Sequence, residues 1–362
     1  MQVSIETQTR ASRIAGFAAL ALLAVAVVLP AFAGRGLIQD LFFILTMLVL
    51  AQWWNLLAGY GGLVSVGQQA FVGMGAYALF GAVILWGLDP VPSILIAGIA
   101  ALILAIPTAF FAFRLQGAYF AIGTWVIAEV VRLSVAQWKA VGGGTGTSLP
   151  RSATRDMWFV DAIKTLFDVK TSAARDILAY WLALVLAVLT IGAIYWLLRT
   201  RRGLALSATR DNDQAARSVG VDSARSKWFV YLTAAFGTGI AGGLIYMQKA
   251  RISPDAGFSV LDWTAYVIFI VVIGGIGTIE GPILGVLIFF LLQSLLADYG
   301  SWYLMALGVI GIAVMLFAPR GLWGLFNDKT GIELFPTRRR LVVAKRAGRK
   351  AGALEHKEAD NG

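Results

Sequence analysis

Along this 362-residue chain the hydrophobic positions gather into long apolar runs, and polar residues are confined to the short breaks between them. No two-residue alternation runs through the apolar stretches, so the roughly ten-residue segments of a transmembrane barrel are absent. A run of about 20 apolar residues crosses a hydrocarbon layer of roughly 30 Å as a helix. Only a helix then satisfies its own backbone groups. Ten spans are predicted, at 14–33, 36–58, 70–88, 92–113, 118–137, 177–198, 228–247, 261–276, 282–297 and 301–318. The fold class is all-α, a polytopic transmembrane helical bundle of about eight to ten spans.

Composition sharpens this picture. Hydrophobic residues make up 59% and charged residues 14%, against about 25% charged in soluble domains, so a single soluble core is excluded. There is no Cys, and the one His, His356, lies in a polar tail. Disulfides and thiolate metal sites are therefore excluded, and no metal site is expected. Many of the 40 Gly sit inside apolar segments, where they let helix backbones approach closely.

The net charge of +10 acts through its distribution. With the N-terminus (Arg10, Arg13) inside, the connections on that side hold 20 Lys/Arg and those outside hold nine. By the positive-inside bias the N-terminus, residues 199–227 and the C-terminus are cytoplasmic. The charge is thus a topology signal, and no nucleic-acid partner is expected. The domain reading is a cytoplasmic N-terminus at 1–13 and a membrane domain at 14–326. That domain includes an outer loop at 138–176 and a cytoplasmic loop at 199–227; a basic cytoplasmic tail at 327–362 is expected to be disordered, with some attraction to anionic lipid heads. Ala31-Phe32-Ala33 followed by Gly34 resembles a signal-peptidase site, although a retained first helix is the plainer reading, and either leaves residue 36 outside.

Two glycine-rich stretches interrupt the spans. In AGYGGLVSVGQQAFVGMGAYALFG (58–81), glycines weaken the helix while Ser65, Gln68 and Gln69 bring polar groups to its edge. VVIGGIGTIEGPILGVLIFFLLQ (271–293) is expected to break at 274–281 and restart at Pro282, which suits a first helical turn. Irregular backbone at membrane depth is tolerated where it is buried in protein or lines a watery cavity. Gly61, Ser65, Gly67, Gln68, Gln69, Gly274, Gly275, Gly277 and Thr278 are accordingly candidate pathway residues, with tight helix packing and capping as the alternative. Glu280 reads as a helix-start residue rather than a proton carrier. The common recipe of the two stretches hints at a weak internal repeat.

Ala235, Gly239 and Gly243, four apart, predict a flat packing seam. Glu129 is an ionisable group inside a span, a functional flag by default, yet Arg132 three residues on is placed to pair with it.

The polar run RTRRGLALSATRDNDQAARSVGVDSARSKWF (199–229) is rich in helix formers and contains no Pro. It predicts a helix over about 207–218, with Asp211, Asn212 or Asp213 able to start a second one and Gly220 turning the chain back to the membrane. Its apolar residues are chiefly Ala, Val and a few Leu, too small for a helix resting on lipid. Docking into a groove on a cytoplasmic partner is favoured. No GxxxxGK[ST], HExxH or GxSxG motif occurs, and GGGTGTS (142–148) lacks the Lys of a phosphate loop. The chain is not expected to be an enzyme. A membrane-embedded enzyme is a remote reading, and a stand-alone secondary carrier is the main rival to a partner-driven transporter.

From about residue 41 to 326 the chain resembles the permease subunits of bacterial ABC importers for branched-chain amino acids. GYGGLVSVGQQAFVGMGAYA, LQGAYFAIGTWVIAEVVRL, GGGTGTSL, QAARSVGVDSARSKWFVYLTAAFGTGIAGGL, ISPDAGF, GGIGTIEGPILG and APRGLWGL are similar to that family's blocks, in its order. QAARSVG also resembles the importer pattern EAA-xxx-G, with Gln214 in the acidic place. The resemblance implies a multi-pass protein of the bacterial plasma (inner) membrane that pairs with a homologous permease. Two cytoplasmic ATPases would use ATP and Mg, leaving no cofactor on this chain, and an extracytoplasmic binding protein would deliver substrate. It further implies a coupling helix at about Ser207–Gly220, with Arg210, Asp211, Asn212, Gln214, Ala215, Ala216 and Gly220 at the ATPase contact. Permeases for urea and short amides look similar, and the tail beyond Arg338 is longer and more basic than the pattern requires.

Overall fold

The apolar runs are rich in Leu, Ile, Val, Ala and Phe, and without water each closes its backbone into helix. The computed structural model describes residues 3–6, 10–296, 299–331, 334–336 and 340–343. Among these, nine helical stretches are long and apolar enough to cross a membrane, and Glu280–Leu296 is a further, shorter apolar helix. The helices are α1 (Arg10–Val28), α2 (Arg35–Asn55), α3 (Gln69–Trp86), α4 (Pro90–Ala112), α5 (Ala118–Ala136), α6 (Arg151–Arg155), α7 (Val160–Phe167) and α8 (Thr171–Leu198). They continue as α9 (Arg201–Asp211), α10 (Asp213–Ser218), α11 (Ser223–Lys249), α12 (Pro254–Gly257), α13 (Tyr266–Gly274), α14 (Glu280–Leu296), α15 (Ser301–Phe317) and α16 (Gly321–Thr330). Each predicted span falls on one of these helices, so the polytopic all-α bundle is borne out.

The core forms where side chains are smallest. α11, α4 and α3 pack most extensively against one another. Gly239 and Gly243 of α11 lie against Ala97, Gly98 and Ala101 of α4, and Gly75 of α3 abuts the Gly239 backbone. The predicted seam is therefore the α11–α4 contact, and a methyl added at Gly239 would strike Ala101. α2 joins α8 through Asp176, which accepts hydrogen bonds from Arg35 Nε (2.5 Å) and Gln39 Nε2 (3.0 Å). α1 lies on the outside of the bundle, where Tyr180 and Trp181 donate to its Ala26 and Val27 carbonyls.

The connections sort to two ends of the bundle. β2 (Thr147–Ser148) pairs antiparallel with β3 (Arg251–Ile252), which joins the 138–176 loop to the loop after α11. At the opposite end sit the α9–α10 hairpin, the end of α2 and the α13–α14 junction. β1 (Val3–Glu6) pairs with β4 (Arg340–Val343), which brings the two terminal regions together.

Regular structure extends further along the tail than expected. α16 runs to Thr330, and Glu280 Oε1 accepts from the Leu334 and Phe335 amides at 3.1 and 2.8 Å. Glu280 starts α14 as predicted, but its carboxylate also anchors the chain after α16. Residues 344–362, including His356, lie outside the described residues.

Candidate functional site

The polar run between α8 and α11 folds as two helices rather than one. Asn212 breaks it: its backbone is extended (φ −158°) and its side chain caps α10 by accepting from the Ala215 amide at 3.0 Å. An Asn there competes with the helix for backbone partners and so starts a new one. Asp213 accepts from Arg217 (3.0 Å) and Lys227 (3.3 Å), tying α10 to α11. The Ser223 hydroxyl and the Lys227 ammonium hold its carboxyl below the usual Asp range. Gly220, at φ +87°, makes the turn back. Asp211, Asn212, Gln214, Ala215 and Gly220 face solvent, while Ala216 packs inward. The exposed tip is small and polar.

Arg210 points the other way, into the bundle. Its Nη1 donates to the Gly59 carbonyl at 2.8 Å, while Nε and Nη2 hold Asp211. Gly59 belongs to a π-helical turn, Leu56–Tyr60, that ends α2; such turns leave backbone carbonyls misaligned and open to other donors. From Gly61 to Gln68 the backbone is irregular, and its groups find side-chain partners. Trp54 Nε1 donates to the Ser65 carbonyl at 2.8 Å, and the Val66 amide donates to Thr124 Oγ1 at 3.1 Å. Ser65 Oγ accepts from the Gly67 amide at 3.2 Å. Gln68 Nε2 donates to Thr238 Oγ1 and Thr264 Oγ1 donates to Gln69 Oε1, both at 2.5 Å. A side chain at Gly67 would strike the Thr124 backbone, so only glycine allows the segment to lie against α5.

The second break, between α13 and α14, closes on the first. Asn55 grips it from α2: Nδ2 donates to the Thr278 carbonyl and Oδ1 accepts from the Gly277 amide, each at 2.8 Å. Gln52, one turn earlier, donates to the Ile279 carbonyl at 2.7 Å. Thr278 Oγ1 donates to the Gly275 carbonyl and accepts from the Gly281 amide, closing the loop on itself. Gly274 packs against Gly281 and Gly285, and Gly275 lies against Arg320 and Trp323 at the α16 end. A largely polar cavity of about 440 Å³ opens here, lined by Tyr60, Arg210, Gly277, Thr278, Glu280 and Arg320 among others.

The structure therefore brings Gly277 and Thr278 to the cavity beside Arg210, where Gly59 and Gly62 approach them, while Gly61 packs back on Leu57. Ser65, Gly67, Gln68 and Gln69 lie further along the first break and are buried on protein partners. In the single chain these four hold the break in position, and the cavity at Arg210 is lined instead by the second break. Asn55 and Gln52 were not anticipated. Their signal was two amide side chains three residues apart in an apolar helix.

On α5, Glu129 and Arg132 form the expected pair. Arg132 Nη2 donates to Glu129 Oε1 at 2.6 Å, Nε donates to both carboxylate oxygens at 3.0 Å, and Nη1 reaches Asp255 at 2.7 Å. The buried face of α5, Phe120, Thr124, Ala128, Val131 and Val135, turns toward the bundle, and its Thr124 meets the first break.

A helical bundle with nine stretches long and apolar enough to cross a membrane, broken beside a polar hairpin, is compatible with a membrane permease. The model of the family described as "Branched-chain amino acid transport system / permease component" matches residues 36–319, and the chain belongs to that family. The permease protein LivM of the high-affinity branched-chain amino acid transport system of Escherichia coli K12 is 29% identical over 316 residues, 84% of this chain and 73% of that protein. The corresponding permease protein BraD of Pseudomonas aeruginosa is 25% identical over 306 residues, 77% of this chain and 92% of its own length. A probable branched-chain permease, LivH of Methanocaldococcus jannaschii, is 32% identical over 152 residues, 39% of this chain and 46% of that protein. The family resemblance read from the ordered blocks is borne out.

Proposed function

We propose that this chain is the pathway-forming subunit of an ATP-driven importer for branched-chain amino acids (Leu, Ile, Val) or close relatives. A second permease completes the pathway, two ATPases act at the α9–α10 hairpin, and a binding protein delivers substrate to the opposite end. The carrying observation is Arg210, which joins an exposed polar hairpin to the Gly59 carbonyl at the first helix break. The relatives' names, which specify branched-chain amino acid transport, support the substrate class. The Lys/Arg bias supports a cytoplasmic hairpin and cytoplasmic termini in a bacterial plasma membrane. The sequence offers no phosphate loop of its own, so ATP and Mg belong to the partner ATPases.

Force applied to the hairpin reaches both breaks at once, because Arg210 touches Gly59 while Gly277 lies against both residues. The breaks are where ladders of helical hydrogen bonds are missing, so the bundle bends there between discrete packed arrangements. The test is co-purification and uptake. ATPase subunits should co-purify with the intact chain and be lost on deleting 207–220, with labelled leucine uptake lost in parallel. Gradient-driven uptake by this chain alone in liposomes would overturn the proposal in favour of a secondary carrier. Uptake competed by urea and untouched by leucine would keep the machine and reassign its substrate.

A further inference from the structure

Two observations single out α5, one on each of its faces. The first is charge: Glu129 lies seven residues inside α5, with 46% of its side chain exposed and Arg132 25% exposed. It shares a stripe at helical spacing with exposed Ile122, Trp125, Val126 and Leu133. Ionised groups on such a face are costly against lipid tails and mark a water-filled path or a partner. The second is backbone: the irregular segment 61–68 lies against the opposite, buried face of α5 at Thr124, which places α5 between the first break and the charged stripe.

The chemistry of the stripe is specific. A carboxylate and a guanidinium stand one helical turn apart, next to large apolar side chains. A free α-amino acid carries the complementary set, a carboxylate, an ammonium and an apolar side chain. Arg132 presents a planar fork suited to a carboxylate, and its Nη1 already binds one. Asp255, on the short outer helix α12, occupies that position at 2.7 Å while its own side chain is 85% exposed. Replacing the Asp255 carboxylate by that of a substrate exchanges like for like at Arg132, and the substrate's ammonium adds the positive charge that offsets Glu129.

We propose that Arg132 and Glu129 form a way-station for the amino-acid head group on the pathway. The substrate's carboxylate displaces Asp255 from Arg132, its ammonium meets Glu129, and Ile122, Trp125 and Val126 receive the side chain. This rests on the importer reading above and deepens it. The site selects zwitterions over neutral urea or amides because neither charge of the pair is answered by a neutral solute.

The test is ATP-driven leucine uptake by the complete transporter, with ATP hydrolysis and subunit assembly measured on the same samples. Glu129→Gln and Arg132→Ala should each lower uptake at least about tenfold. The double swap Glu129→Arg with Arg132→Glu restores an ion pair of reversed polarity and should leave uptake equally low while assembly recovers. Recovery of uptake in the swap would show a purely structural pair and overturn the proposal. So would full activity in Glu129→Gln, an isosteric change that decides the matter if the other variants fail to assemble. Asp255→Ala should keep or raise uptake, and its loss would overturn the placeholder role. Wild-type transporter lacking ATP-driven leucine uptake would refute the importer reading itself, whereas active wild type with a tolerant swap refutes only this site.

Discussion

The break after α2 and the break between α13 and α14 share a composition, paired glycines with a hydroxyl residue before a helix restarts, yet they are held in different ways. Residues 61–69 draw their partners from four other helical segments, through Trp54, Thr124, Thr238 and Thr264. The 275–279 loop is held by two amides of a single helix, Asn55 and Gln52, and by its own Thr278. One break is clamped from many sides and packs on the buried face of α5 at Thr124. The other is hung from α2 and opens on the cavity that holds Arg210. Glycine content determines that a helix stops; the neighbours determine whether the freed backbone groups are locked or left near a movable part.

If the first break is locked by close approach, filling it should have the largest effect. Gly67→Val drives a side chain into the Thr124 backbone, which cannot step aside cheaply. A loss of about 3 kcal/mol is expected, read as a lower thermal midpoint in detergent and poor folded yield. A wild-type midpoint would mean that α5 and the break separate easily.

Asn55→Leu probes the second break more gently. It strips two hydrogen bonds and leaves the Gly277 amide and the Thr278 carbonyl without that partner, for about 2 kcal/mol. The same thermal measurement, with uptake falling more than stability, would place the loop in transmission. Equal falls would make it scaffolding only.

The smallest effect concerns the hairpin itself. The Asp213 carboxyl is held below its ordinary range by Ser223 and Lys227. A depressed carboxylate contributes fully above its unfolded pKa, and that contribution fades as pH falls through the folded value. The protection of α10 against hydrogen exchange, corrected for the intrinsic rate at each pH, should therefore stay constant from neutral pH down to roughly 5 and fall only below about 4. Loosening near neutral pH would contradict the assignment.

Much of this was legible in the residues. Apolar run length gave the helices, the Ala235–Gly239–Gly243 spacing gave a seam, and Pro282 marked the start of α14. Asn212 was among three residues expected to start a second short helix, and it does. Long-range pairing was not legible. Nothing in the sequence near Asn55 indicates that its amide meets Gly277, 222 residues away, and Arg210 reads as one more solvated cation until the fold brings Gly59 beneath it. Glu280 was read as serving its own helix, whereas it also holds the backbone of a segment 54 residues further on. Periodicity reports local structure, and polar partners across a bundle have no period.

The central claim, that the hairpin moves the breaks through Arg210, is tested most directly by Arg210→Ala in the complete transporter. Leucine uptake and ATP hydrolysis would be measured on the same vesicles. Uptake per ATP hydrolysed should fall on the order of tenfold while hydrolysis continues. Uptake at the wild-type ratio would contradict it.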